Sequence, residues 1–288
     1  MFKIVPSLLY LIKTIFPDRG FIGPVKFIAS DKDASPGLAY WLSRDGQLKL
    51  LRRLLSGFAV GGIVFVGYLF LQRVSLRPVM WLEPGPLEGW GIASNSAPVV
   101  YLYLSFYLLT LIPGFLPADD QFRRFLIALT ITGLVSLVVF LLFPSGVLRP
   151  LEFRTEASAV YLRLIDVDLP RIAFPSLHDS VTTLSAIVSC IVLKHWMSRL
   201  LFWLWAAGIL WSTMATRQHV LFDVVSGALL ACLSWITAAW FKELREELGP
   251  DPVFGIDYHH RLTVAETASV LSAHARWHAR LYRRADSR

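Results

Sequence analysis

Between Phe125 and Phe143 the chain runs for 19 residues without one charged side chain. About 20 apolar residues carry a helix across the hydrocarbon layer of a membrane, and a run of this length has few other homes. Five more stretches resemble it: Leu55–Gln72, Pro98–Leu116, Val181–Leu193, Leu200–Thr216 and Val220–Phe241. The one at Val181 is short unless its helix begins nearer Ser176. Apolar residues make up 55% of the 288 and charged residues 17%, where a soluble domain carries roughly a quarter charged. The mean hydropathy is +0.54. The expected fold is therefore all-α, a polytopic bundle of six transmembrane helices. It divides into an N-terminal interfacial segment over 1–53, a six-helix membrane domain over 54–242 and a tail over 243–288.

The net charge of +7 is read against these spans, and no nucleic-acid partner is expected. Placing the connections on alternating sides puts 21 Lys and Arg residues on one side and 7 on the other. Basic residues accumulate on the cytoplasmic side, so both termini are expected there. The connections Arg73–Ala97 and Pro144–Ser180, with the link at Arg217, then face outward. That outer side holds no lysine, yet five arginines fall between positions 149 and 217. Arginine is the side chain suited to forked recognition of phosphate.

Two segments on that side carry chemistry. Phe174-Pro175-Ser176-Leu177-His178-Asp179-Ser180 leads into the fourth span, and Thr216-Arg217-Gln218-His219-Val220-Leu221-Phe222-Asp223 opens the sixth. His219 and Asp223 are four residues apart and share a helix face. A carboxylate there can fix one imidazole nitrogen and leave the other free to attack. Taken alone, the pair is equally an anchor at the membrane surface. His178 follows Pro175 and Ser176, a helix start whose hydroxyl and free N–H groups can hold an anion. A histidine beside that anion can protonate a leaving alkoxide, or simply sit at the interface. Arg149, with Pro150, follows the third span. Arg171 and Arg217 flank the two histidines and are further phosphate-clamp candidates, whereas Arg154 and Arg163 read as plain loop charges.

These residues resemble the membrane-bound type 2 phosphatidic acid phosphatase superfamily. Its three short motifs end in Arg-Pro, read Pro-Ser-x-His, and place His four residues before Asp. The likeness runs from about Pro98 to Trp240. By position it implies His219 as the nucleophile forming a phosphohistidine, Asp223 as its orienting carboxylate and His178 as acid for the leaving group. Ser176 and Arg149 would hold phosphate oxygens. The substrate would be a phospholipid or other lipid phosphate, and the family needs no cofactor or metal. The chain departs from the phosphatase pattern at Leu142, where that pattern has lysine, at Ser212-Thr213, where it has Ser-Arg, and at Leu177, where it has glycine. This variant looks like the branch of inositol phosphorylceramide synthases. Losing two cations suits a singly charged phosphodiester better than a doubly charged monoester. The expected activity is transfer of a phospho-head group between lipids, with phosphatase action on a monoester as the alternative.

A non-catalytic anion transporter or a scaffold is the rival class. A transporter would more often show broken helices near the membrane midplane, whereas these ionisable residues all lie at one interface. Cys190 and Cys232 fall inside spans and read as buried thiols. Met1–Phe16 lacks a small-residue cleavage site and reads as an interfacial or re-entrant segment. His259-His260 and His274/His278 lack a ligand set for a metal. Thr263–Tyr282 reads as a helix opened by a Thr263-x-x-Glu266 capping box.

Overall fold

The computed structural model describes residues 38–83, 85, 94–115, 119–149, 157–193 and 195–248. Pro150, Arg154 and the expected features at Met1–Phe16, His259-His260 and Thr263–Tyr282, with His274 and His278, lie outside the described residues. By compactness the chain falls into two units, Met1–Ile236 and Thr237–Arg288.

Helices account for nearly all regular structure. After the short α1 (Leu38–Leu42), α2 (Arg44–Arg73) starts at Ser43, whose hydroxyl accepts from the Gly46 N–H at 3.2 Å. At 1.5 Å per residue its 30 residues reach about 45 Å, more than the roughly 30 Å hydrocarbon core. The second apolar stretch breaks at Ser105 into α3 (Ala97–Leu104), with a proline in its first turn, and α4 (Phe106–Phe115). The α5 helix (Asp119–Leu142) opens on Asp119 and Asp120, acids placed where the helix N-terminus favours them. Then come α6 (Ala159–Val167), α7 (Leu177–Val192), α8 (Trp196–Ala215) and α9 (Leu221–Leu248).

Among the described residues, helices thus occupy most of each of the six apolar stretches. Four among the described residues are long and apolar enough to cross a membrane: α2, α3 with α4, α5, and Leu221–Phe241 of α9. Large apolar side chains point outward from them, among them Phe58, Ile63 and Val66 of α2 and Leu229 and Leu233 of α9. The α7 helix is shorter, 16 residues, and begins at Leu177 because Ser176 caps it by accepting from the Asp179 N–H at 3.2 Å. It is the core helix, packed by α4, α5 and α8. Ser180, Thr182, Ser185 and Ser189 are fully buried along it, small residues that let neighbouring backbones approach. Gly227 of α9 lies against the Ser176 carbonyl, so close that a Cβ there would sit 2.5 Å from that oxygen.

The described parts of the connections, 74–83, 94–96, 143–149, 168–176 and 216–220, gather at one end of the bundle. There β1 (Met80–Leu82) pairs in parallel with β2 (Ser145–Val147), in the register Met80↔Ser145 to Leu82↔Val147. The Ala173 N–H donates to the Ser145 carbonyl, the Ser94 N–H to Ala215 and the Ser158 N–H to Asn95. At the opposite end Lys49 and the buried Arg53 both bond the Asp119 carboxylate, at 2.6 and 2.7 Å.

Candidate active site

The end that gathers the connections also holds the two histidines. The segment before His219 is built by the way α8 stops. Arg217 takes a left-handed backbone conformation, φ 57°, its N–H reaching the Met214 carbonyl and the Gln218 N–H the Thr213 carbonyl, each at 3.0 Å. This is the Schellman ending, whose left-handed position glycine usually fills. An arginine stands here instead, at a backbone cost of roughly 1–2 kcal/mol. The His219 N–H also reaches the Thr213 carbonyl, at 3.2 Å, and the chain turns directly into α9.

That turn brings the imidazoles together. The ring centroids of His178 and His219 are 5.9 Å apart. His178 lies in the first turn of α7, whereas His219, expected on a helix face with Asp223, lies in the turn just before α9, which begins at Leu221. A main-chain bond from the Ser176 N–H to the Asp223 carbonyl, 3.2 Å, ties the two helix starts. Asp223 is fully buried, and its Oδ2 lies 3.6 Å from His219 Nδ1. This is ion-pair reach, slightly longer than a hydrogen bond. Oδ2 also accepts from the Val220 N–H at 3.1 Å. Burial works against protonating His219, but Asp223 beside it, with Asp179 and Asp168 behind, outweighs burial and holds its pKa above the ordinary histidine value. An imidazole backed by a carboxylate in this way can act as a nucleophile whose cationic adduct is stabilised.

Several polar atoms here are buried yet make no hydrogen bond among the described residues: Nδ1 of both histidines (that of His219 only within ion-pair reach of Asp223), Asp223 Oδ1, Arg217 Nε and Gln218 Nε2. Buried polar groups are normally satisfied, and their concentration at one spot marks a place that a polar ligand can complete. Beside His178 opens an apolar cavity of about 350 Å³, walled by Phe65, Tyr68, Phe106, Leu111 and Leu177.

The other expected phosphate contacts differ in placement. Ser176 is fully buried and caps α7 next to His178. Arg149 sits beside the site, but its guanidinium is already engaged. Nε bonds the Arg217 carbonyl at 3.3 Å, Nη1 the Asp168 carbonyl at 2.7 Å, and Nη2 the Gln218 Oε1. It braces the left-handed turn as much as it faces any ligand. Arg171 is exposed, its side chain making no hydrogen bond or ion pair among the described residues. Arg163, expected in a loop, lies exposed on α6.

Sequence reading alone gave no role to a second set of residues. Tyr68, Gln72 and Tyr103 converge on Asp168, and Tyr103 Oη lies 3.0 Å from His178 Nε2. The rings of Tyr68, Tyr103 and Phe106 surround His178 with centroids 4.9–5.7 Å away. Asp179 is buried and accepts from Thr213 Oγ1 at 3.2 Å. The available signal was polar residues inside apolar runs, Tyr68 and Gln72 lying four apart on one face of α2.

No curated protein and no solved structure matches the chain. The family model described as the PAP2 superfamily matches residues 93–237, a segment that contains both histidines, Asp223, Ser176, Arg149 and Arg217. That family supports a lipid-directed phosphoesterase function. Spanning slightly more than half of the sequence, the match shows that this chain belongs to the PAP2 superfamily.

Proposed function

We propose that the protein is an integral membrane lipid phosphotransferase that works through a phosphohistidine. The single observation that carries this reading is the approach of two imidazoles to 5.9 Å, one of them backed by a buried carboxylate. His219 attacks phosphorus, Asp223 holds its ring and stabilises the adduct, and His178 gives a proton to the departing oxygen. Ser176, Arg217 and the remaining N–H groups of Arg149 receive the phosphate oxygens, with Arg171 at the rim. Such charge-assisted bonds are the strong ones. The apolar cavity beside His178 suits the hydrocarbon part of a lipid whose phosphate lies between the histidines.

Six helices cross the membrane in this reading, with the termini cytoplasmic and the site on the opposite face, in keeping with the 21-to-7 distribution of basic residues. The N-terminal segment 1–53 and the tail from 243 flank this domain on the cytoplasmic side. The preferred donor is a phosphodiester lipid and the acceptor a lipid hydroxyl, as in inositol phosphorylceramide synthases. Leu142 and Thr213 stand where phosphatases of the family carry cations, which suits a singly charged phosphate. Water as acceptor gives a phosphatase by the same first half-reaction.

Membranes containing the protein, incubated with head-group-labelled phospholipids, test the proposal. The wild type is expected to acquire acid-labile label and pass it to an acceptor lipid. His219→Ala is expected to lose labelling while folding normally, and His178→Ala to lose turnover. Transfer undiminished in His219→Ala would defeat the mechanism, and strong preference for phosphatidic acid would reject the diester donor.

A further inference from the structure

Asp168 closes α6 and is 8% exposed. Its carboxylate forms no ion pair with a lysine or arginine among the described residues. Oδ1 accepts from Tyr68 Oη at 2.5 Å and from Gln72 Nε2 at 2.6 Å. Gln72 is itself held, its Oε1 accepting from the Leu169 N–H at 3.3 Å. These bonds fix the carboxylate and leave Oδ2 facing Tyr103, whose hydroxyl lies 3.5 Å from it and 3.0 Å from His178 Nε2.

A tyrosine hydroxyl carries one proton and can also accept. Giving that proton to the ionised carboxylate makes the stronger bond and leaves the phenol oxygen to accept Nε2–H from His178. The tautomer is thereby set with hydrogen on Nε2. The other nitrogen, Nδ1, is buried and unpartnered among the described residues. A buried carboxylate needs compensating charge. The Arg149 guanidinium holds the Asp168 carbonyl at 2.7 Å, and His178, one hydroxyl away from Oδ2, is a second group whose cationic form this carboxylate favours. The 3.5 Å separation is long for a resting bond, and such contacts commonly tighten when substrate binds.

We infer that Asp168 and Tyr103 are positioning residues that hold Nε2–H of His178, making Nδ1 the atom that exchanges the proton with the reacting oxygen. The inference rests on the reaction proposed above. In that step a lone pair of His219 forms the N–P bond. The P–O bond to the leaving alcohol breaks with its electron pair on oxygen. The Nδ1 proton of the His178 imidazolium moves to that oxygen, and His178 is left neutral with Nε2–H retained. On return, Nδ1 takes the proton of the accepting hydroxyl or water as its oxygen displaces His219 from phosphorus.

A leaving-group comparison tests this on the full-length protein in detergent. The probes are matched phosphoesters, in monoester and diester form, whose leaving group is either dodecanol or p-nitrophenol. Dodecanol must be protonated as it departs, whereas nitrophenolate leaves without help. Asp168→Asn and Tyr103→Phe are each expected to lose about 10- to 100-fold on the dodecyl esters, part of what general acid catalysis contributes, and no more than about threefold on the nitrophenyl esters. The double variant is expected to lose no more than the worse single one, because both act through one imidazole. Tyr103→Phe removes a single oxygen and keeps the inference testable if Asp168→Asn fails to fold. Equal losses on both esters, or no loss on either, would overturn this inference while leaving the phosphohistidine reaction standing. A wild type that turns over neither ester would overturn both.

Discussion

Gly227 offers a perturbation whose effect follows from geometry. It lies one helical turn beyond Asp223 on α9, facing the first turn of α7. A methyl group there would sit 2.5 Å from the Ser176 carbonyl oxygen and 3.1 Å from Ser180 Oγ. That carbonyl cannot swing away, because it accepts from the Ser180 N–H at 3.0 Å and from Ser180 Oγ at 2.7 Å. In Gly227→Ala the two helix starts must therefore part by about 0.5–0.9 Å to bring the pair to 3.0–3.4 Å. Overpacking of this kind costs about 1–3 kcal/mol, which leaves a domain of ordinary stability, about 5–15 kcal/mol, still folded. Catalysis is less forgiving, since a displacement of about 1 Å between reacting groups costs on the order of 100-fold. The expected result is a detergent-solubilised protein that melts a few degrees lower and transfers label from a phospholipid about 100-fold more slowly. Gly208→Ala is the control, since a Cβ there meets only Leu102 side-chain carbons at 3.5 Å or more. A Gly227→Ala protein with wild-type turnover and melting temperature would show that the contact between α7 and α9 does not set the spacing of the histidines.

The raised pKa of His219 means that the ring stays protonated, and unable to attack, to a higher pH than an ordinary histidine. The acidic limb of kcat/KM is expected above 6.5, and Asp223→Asn, which removes the nearest supporting charge, should move it to lower pH while lowering the plateau; a pH–rate profile reads both. Arg217→Gly puts the usual residue at the left-handed position, so denaturation should show a gain of about 1 kcal/mol. The same variant should lose about tenfold or more in turnover, as one charged phosphate contact disappears. Arg149→Lys keeps the charge but cannot reach the Arg217 and Asp168 carbonyls and Gln218 Oε1 together. Labelling by a phospholipid donor should fall at least tenfold, and unchanged labelling would show that charge alone suffices there.

The histidines and Asp223 were legible because each is an ionisable group at the edge of an apolar run, where such residues stand out. Ser176 was legible as a helix cap, and that cap resolves where the short fourth helix begins. Asp168 was not legible, because its partners Tyr68 and Gln72 lie 100 and 96 residues away and no local pattern links them. The Arg149 guanidinium read as a free phosphate fork, yet it is shared with protein acceptors that only the folded turn presents. Arg171 shows the reverse, a cation next to the motif in sequence whose side chain stays exposed. Helix α7 fell short of a full apolar span because its serines and threonines face helices rather than lipid.

The bond between the Ser176 N–H and the Asp223 carbonyl, with the two N–H groups held by Thr213, consists wholly of main-chain atoms. Side chains around the cavity can therefore drift without retuning the distance between the two rings. Under the proposed mechanism, a scaffold riveted in this manner would keep its first chemical step while the walls that admit water or an alcohol are rewritten. One backbone could in this way serve both hydrolysis and exchange over evolutionary time.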